Sequence, residues 1–177
     1  MLVEVRVQSL GLDRSNNTPV VILQELGGER VLPIWIGPSE ASAIAMQLAD
    51  MEFSRPLTHD LLVSVLKGLG GNLHKVMITR VEKSTYSAEL IVHRNGQVIS
   101  LDARPSDSIA VALRVDAKIF ADDELLQQAS VEITDEEVSP ADEGDVPRAA
   151  NSETMGPEEL KEHLRRLNPE DFGRFMP

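Results

Sequence analysis

The chain has 177 residues, no cysteine and a formal net charge of -12. The absence of thiols excludes disulfides, thiolate nucleophiles and Cys-based zinc or iron–sulfur centres, and it fits a reducing cytoplasm. The acidic balance excludes loose, charge-driven attachment to nucleic acid. Residues 1–133 hold 12 basic against 17 acidic residues, and the remainder holds 5 against 12, so the tail carries more than half of the excess. A hydrophobic content of 42% suffices for one packed domain. Met1-Leu2-Val3-Glu4-Val5-Arg6 lacks the basic and apolar segments of a signal peptide. No apolar run approaches the length of a membrane span.

Val3, Val5 and Val7 alternate with Glu4, Arg6 and Gln8, the pattern of a half-buried strand. After a polar loop from Asp13 to Thr18, Pro19 to Leu23 reads as a strand apolar on both faces. Gly27-Gly28 is a hairpin turn, and Arg30 to Ile36 returns as a third strand. Pro33 has no N–H, which places that strand at an edge or a bulge. Gly37-Pro38-Ser39 breaks it, and Ser39 is expected to cap a helix carrying Ile44, Leu48 and Met51. Thr58 is expected to cap a second helix with Leu61, Leu62, Val65, Leu66 and Leu69 on one stripe, ended by Gly70-Gly71.

The pattern then begins again. Val76 to Val81, Tyr86 to Val92 and Gln97 to Leu101 read as strands, with Asn95-Gly96 a type I′ hairpin signal. Ser106 is expected to open a helix through Val115. A short strand at Lys118-Ile119-Phe120 and a helix with Leu125, Leu126 and Ala129 follow. A shift of 67 positions lays Pro38-Ser39-Glu40 on Pro105-Ser106-Asp107 and Ala43-Ile44-Ala45 on Ala110-Val111-Ala112. This predicts an internally duplicated unit of three antiparallel strands and two helices, an α+β fold with a mostly antiparallel sheet. From Thr134 the chain turns acidic among Pro and Gly, so residues 134–156 read as a disordered linker. Residues 157–177 read as a short helix, with Leu160, Leu164 and Leu167 on one side, and a tail.

The polar stretch Asp102-Ala103-Arg104-Pro105-Ser106-Asp107 lies where a strand hands over to a helix. Pro105 discourages helix before it, and Asp107 falls in the first helical turn, where the dipole favours a carboxylate. Asp102 and Arg104, two apart, would share one side of an extended segment. They form either a structural ion pair or a site where acid and base converge on a substrate. Two carboxylates could hold a divalent metal and Arg104 a phosphate, as phosphodiester hydrolysis requires. His59, beside Asp60, could act as a general base or simply lie exposed behind a cap. Glu40, the counterpart of Asp107, is a third candidate, or a helix-terminus acid. His74, His93 and His163 have no matching partners in sequence. Asp107 with Asp116-Ala117-Lys118 imitates a restriction-type nuclease pattern only loosely, because Asp116 would end a helix. There is no P-loop, no G-x-G-x-x-G and no G-x-S-x-G.

Three blocks in order resemble the bifunctional nuclease domain, long catalogued as a domain of unknown function. They are Leu32-Pro33-Ile34-Trp35-Ile36-Gly37 with Glu40-Ala41, then Arg55-Pro56-Leu57-Thr58-His59-Asp60-Leu61-Leu62, then Asp102 to Ala110. The resemblance covers roughly residues 1 to 130, within a domain expected over residues 1–133, and the tail lies outside it. It implies a duplicated α/β roll, a homo-oligomer, and nuclease activity on DNA and RNA, attached mainly to plant members. Its motifs fall here on Glu40, His59, Asp60, Asp102, Arg104 and Asp107, without a settled mechanism. Ala49-Asp50-Met51-Glu52 stands where family members often have a glycine. The resulting expectation is a cytoplasmic, metal-assisted nuclease for DNA or RNA, with Mg or Mn held by Asp102 and Asp107, forming a homodimer or small oligomer and not touching membranes. The alternative is a non-catalytic regulatory module that binds a small anion or a protein partner.

Overall fold

The computed structural model describes residues 1–13, 17–82, 85–129 and 131–132. The expectations for residues 134–156 and 157–177, and His163 with them, lie outside these. Among the described residues, eight strands and four helices make a mixed α+β fold. The first half runs β1 (Leu2–Asp13), β2 (Thr18–Glu25), β3 (Arg30–Trp35), α1 (Pro38–Leu48) and α2 (Thr58–Gly68). The second runs β4 (Gly71–Glu82), β5 (Thr85–Arg94), β6 (Gln97–Ala103), α3 (Pro105–Val115), β7 (Lys118–Asp122), α4 (Asp123–Ala129) and β8 (Val131–Glu132).

All strands belong to one sheet, ordered β6-β5-β4-β7-β1-β2-β3-β8. Each half contributes an antiparallel three-stranded meander. β7 lies between them, antiparallel to β1 and parallel to β4. The β5–β6 turn has φ of 50° at Asn95 and 77° at Gly96, the double positive φ that a type I′ turn requires. β1 and β4 run longer than their alternation predicts. β1 shifts register between Val7 and Ser9, and β4 shifts between Leu73 and Lys75 and between Ile78 and Arg80. A bulge reverses which face the following side chains take, so a strict two-residue period stops there.

The core lies between one sheet face and the helices. It gathers Val21, Leu23, Leu32 and Ile34 from the first meander, Val76, Ile78, Ala88 and Leu90 from the second, and Ile44, Ile109 and Ala110 from α1 and α3. Leu125 and Leu126 bring α4 into the same cluster. α3 is the most deeply placed helix, with Ile109 to Ala112 fully buried, and it touches both α1 and α2.

Two expectations need correction. Neither Ser39, Thr58 nor Ser106 caps a helix by its side chain; the capping positions are Gly37, Leu57 and Arg104. Pro38 and Pro105 take the first helical position, where a missing N–H costs nothing, and this puts each of these two caps two residues upstream of the expected serine. The α2 stripe does not face the core. Leu61, Leu62, Val65 and Leu69 are exposed, and Val63 is the buried residue. α2 packs on α3 and β4 at the margin of the helix layer, so only a narrow side of it is covered.

Candidate functional site

α1, α2 and α3 each carry an acid three residues after the cap: Glu40, Asp60 and Asp107. That position places a carboxylate against the positive end of the helix dipole. The three helix starts meet around Arg104. Its Nε donates to Asp107 Oδ2 at 2.7 Å and its Nη2 to Asp107 Oδ1 at 3.2 Å. Its Nη1 lies 2.8 Å from Glu40 Oε1. His59 Nε2 lies 3.1 Å from Asp107 Oδ1. A carboxylate only accepts, so Nε2 carries the proton in this bond, and a neutral ring has its lone pair on Nδ1.

Four of the six sequence candidates are therefore linked, in the order Glu40–Arg104–Asp107–His59. Burial pushes the Asp107 carboxyl up, but hydrogen bonds from Arg104 and His59, with the guanidinium charge, outweigh it and hold the group below the usual carboxylate range. Asp107 and Glu40 raise the pKa of Arg104 further above its already high value. Asp107 thus stays ionised and Arg104 stays charged throughout the physiological range.

Asp60 turns away from this chain. It accepts from the Leu57 N–H at 2.8 Å, capping its own helix, and pairs with Arg114. Burial raises its pKa, and the Leu57 N–H and Arg114 lower it by more. Sequence reading passed over Arg114, although a cation in an otherwise apolar helix is a signal. Its side chain is 5% exposed and reaches the carbonyls of Ala110 at 2.8 Å and Ala43 at 3.3 Å. One guanidinium ties α1, α2 and α3 together.

Asp102 departs most from expectation. It pairs in register with Glu89, as Leu101 does with Leu90 and Ala103 with Ala88. Residues directly opposite in an antiparallel pair share a face. The Asp102 carboxylate therefore shares the face of Glu89, whereas Ala88 and Leu90 point into the core. The pleat ends at Ala103, and Arg104 follows the turn into α3, so the expected Asp102–Arg104 ion pair is not formed. Among the described residues Asp102 makes no ion pair. Asp116 ends α3 in a left-handed conformation with φ of 54° and takes no part in the site. His74 and His93 stack on each other across β4 and β5, with ring centroids 4.4 Å apart, and do not join the cluster.

Asp102 and Asp107 are the two carboxylates expected to hold a divalent metal. Both Asp107 oxygens are engaged by Arg104 and His59, and Asp102 pairs in register with Glu89. Among the described residues no group of three or more His, Asp or Glu side chains is arranged to hold a metal ion. No helix of the described residues is long and apolar enough to cross a membrane.

The cluster stands at the polar end of an open cleft of about 740 Å³. Thr58, His59 and Leu62 of α2 line it, with Tyr86, Leu90 and Leu101 of β5 and β6, the capping residue Arg104, and Asp107 and Val111 of α3. Asp102 lines it as well.

The profile described as "Bifunctional nuclease domain" matches residues 21–134. An uncharacterized protein of Mycobacterium tuberculosis is 42% identical over 169 residues, covering 96% of this chain and 97% of that protein. Bifunctional nuclease 2 of Oryza sativa subsp. japonica is 26% identical over 111 residues, 60% of this chain and 34% of that protein. Bifunctional nuclease 1 of Arabidopsis thaliana is 24% identical over 105 residues, 58% of this chain and 32% of that protein. The plant proteins are thus matched over about a third of their length. With the match covering more than half of its residues, the chain belongs to the bifunctional nuclease domain family.

Proposed function

We propose that this protein is a nuclease acting on DNA or RNA, with His59 as general base and Asp107 as the residue that orients it. The observation that carries this reading is the Asp107–His59 hydrogen bond at the mouth of the cleft. Asp107 holds the Nε2 proton and leaves Nδ1 to accept one from the attacking water. The oxygen–phosphorus bond forms, the bond to the leaving oxygen breaks, and that oxygen takes up the proton. Arg104 has five N–H bonds and uses three on Asp107 and Glu40, so two remain for a phosphate oxygen. Its side chain is 65% exposed, which leaves it accessible.

The test is cleavage of labelled DNA and RNA by wild type, His59→Ala and Arg104→Ala, purified identically, with and without chelator. His59→Ala should abolish cleavage, and Arg104→Ala should weaken substrate binding. Equal cleavage by all three proteins would overturn the reading and point to a contaminant. No cleavage under any added metal would favour the alternative of a non-catalytic binding module.

We also infer that the two halves derive from a duplicated unit, supported by the matching strand-to-helix joints. A homodimer through the β3 edge is the matching proposal for assembly. Trp35 there is exposed and donates to Asp13 at 3.0 Å, and β8 covers only Arg30 and Val31 of that strand. Light scattering at micromolar concentration should give twice the monomer mass, and a monomer would remove the proposal.

A further inference from the structure

We infer that the apolar part of the cleft receives one unpaired nucleobase, so that the substrate is single-stranded nucleic acid rather than a duplex. This rests on the nuclease reading for the phosphate end alone. The polar end is electrostatically poor for a polyanion. The chain carries -12, and the Arg104 guanidinium is already shared by two carboxylates. Phosphate attraction is therefore weak, and affinity must come from an uncharged part of the substrate.

The cleft supplies such a contact. Leu62 and Leu101 are 40% and 38% exposed, and they face into the cleft that Tyr86, Leu90 and Val111 also line. Tyr86, the single tyrosine of the chain, is half-buried there. A flat apolar ring between an aromatic wall and leucine side chains gains stacking and desolvation without needing charge. The apolar wall adjoins His59, Arg104 and Asp107 directly, so a base seated on it brings its own phosphate to the acid–base pair. A base inside a duplex cannot enter, because it is stacked and paired.

Anisotropy titrations of the full chain decide this. The probes are cleavage-resistant phosphorothioate strands: one single-stranded, the same sequence as a duplex, and a strand with abasic spacers in place of bases. The single strand should bind roughly tenfold tighter than either other probe, the size expected for one stacked base. Tyr86→Ala and Leu101→Ser should erase that advantage, whereas Tyr86→Phe should keep it. Leu101 lies on an exposed strand edge, so its variant tests the pocket even if loss of Tyr86 harms folding. Equal binding of the three probes, or an advantage that survives both substitutions, overturns the inference. Cleavage of unmodified strands by wild type and His59→Ala reports separately on the nuclease reading, and its failure leaves the binding result to decide the pocket.

Discussion

The β3–α1 and β6–α3 joints have one backbone and two chemistries. Gly37 has φ of -73° and ψ of 158°, and Arg104 has -72° and 146°. Each is followed by a proline at the first helical position and an acid two residues later. The first joint is built from Trp35, Ile36 and Gly37, the second from Asp102, Ala103 and Arg104. Gly37 leaves room: a Cβ there would lie 2.3 Å from Glu40 Oε2. The first joint thus folds its acid back against its own turn, where it meets the guanidinium of the second. The second joint supplies the cation, and the first supplies space and a second anion. Two joints of one backbone shape thus take different roles because the three residues that lead into each helix differ.

The largest effect should come from breaking the second joint while sparing the first. Asp107→Asn should lower cleavage at least about a hundredfold, because the amide no longer holds the His59 proton. Glu40→Gln should cost much less, since Arg104 keeps both bonds to Asp107. Steady-state rates on one oligonucleotide rank the two, and equal losses would mean that the joints share the work.

Next comes the link between the joints. Asp60→Ala leaves the buried Arg114 guanidinium with only two carbonyl partners, and should destabilise the fold by about 2 kcal/mol. Urea unfolding measures it, and a loss below about 0.5 kcal/mol would show that the carbonyls alone suffice.

The pH dependence of that loss has a definite sign. Asp60 is held below its ordinary value of 3.8, so its stabilising contribution is present above that value and vanishes as pH falls through the depressed folded-state value. The gap between wild type and Asp60→Asn should be constant from pH 7 to pH 5 and close in more acidic buffer. A gap that widened with acid would contradict the Arg114 pairing.

The smallest effect tests the spare room in the first joint. Gly37→Ala suits the backbone, since φ is negative, but its methyl group must displace the Glu40 carboxylate. That carboxylate is the far end of a flexible side chain, so stability should change by under about 0.5 kcal/mol. Its contact with Arg104 should loosen, and cleavage by Gly37→Ala should match that by Glu40→Gln.

Much of this fold is written in local pattern. Asn95-Gly96, the two X-Pro joints and the alternation of β5 place elements that need no distant partner to be read. The site is only half legible. Glu40, His59, Arg104 and Asp107 announce themselves by residue type near helix starts, and the structure links them. The Asp102–Arg104 pairing fails because a two-residue period was carried past Ala103, where the pleat ends. Arg114 and the cleft wall of Leu62, Tyr86 and Leu101 stayed hidden because their roles depend on which helix lies at the margin. The apolar stripe of α2 signals helix correctly, but it cannot say which side the neighbouring α3 will leave uncovered.

The position of β7 has a consequence for synthesis. Lys118–Asp122 is the strand that joins the two meanders, pairing with Leu2 to Val5 on one side and with β4 on the other. The ribosome has therefore released nearly the whole domain before its sheet can become continuous. Until then the growing chain holds two separate meanders with facing, unsatisfied edges, a state open to pairing with a neighbouring nascent chain. Closure joins residues more than a hundred positions apart, and pairing at such sequence separation forms slowly. Chains stopped just before Lys118 should remain aggregation-prone even though Glu40, His59, Arg104 and Asp107 are all present.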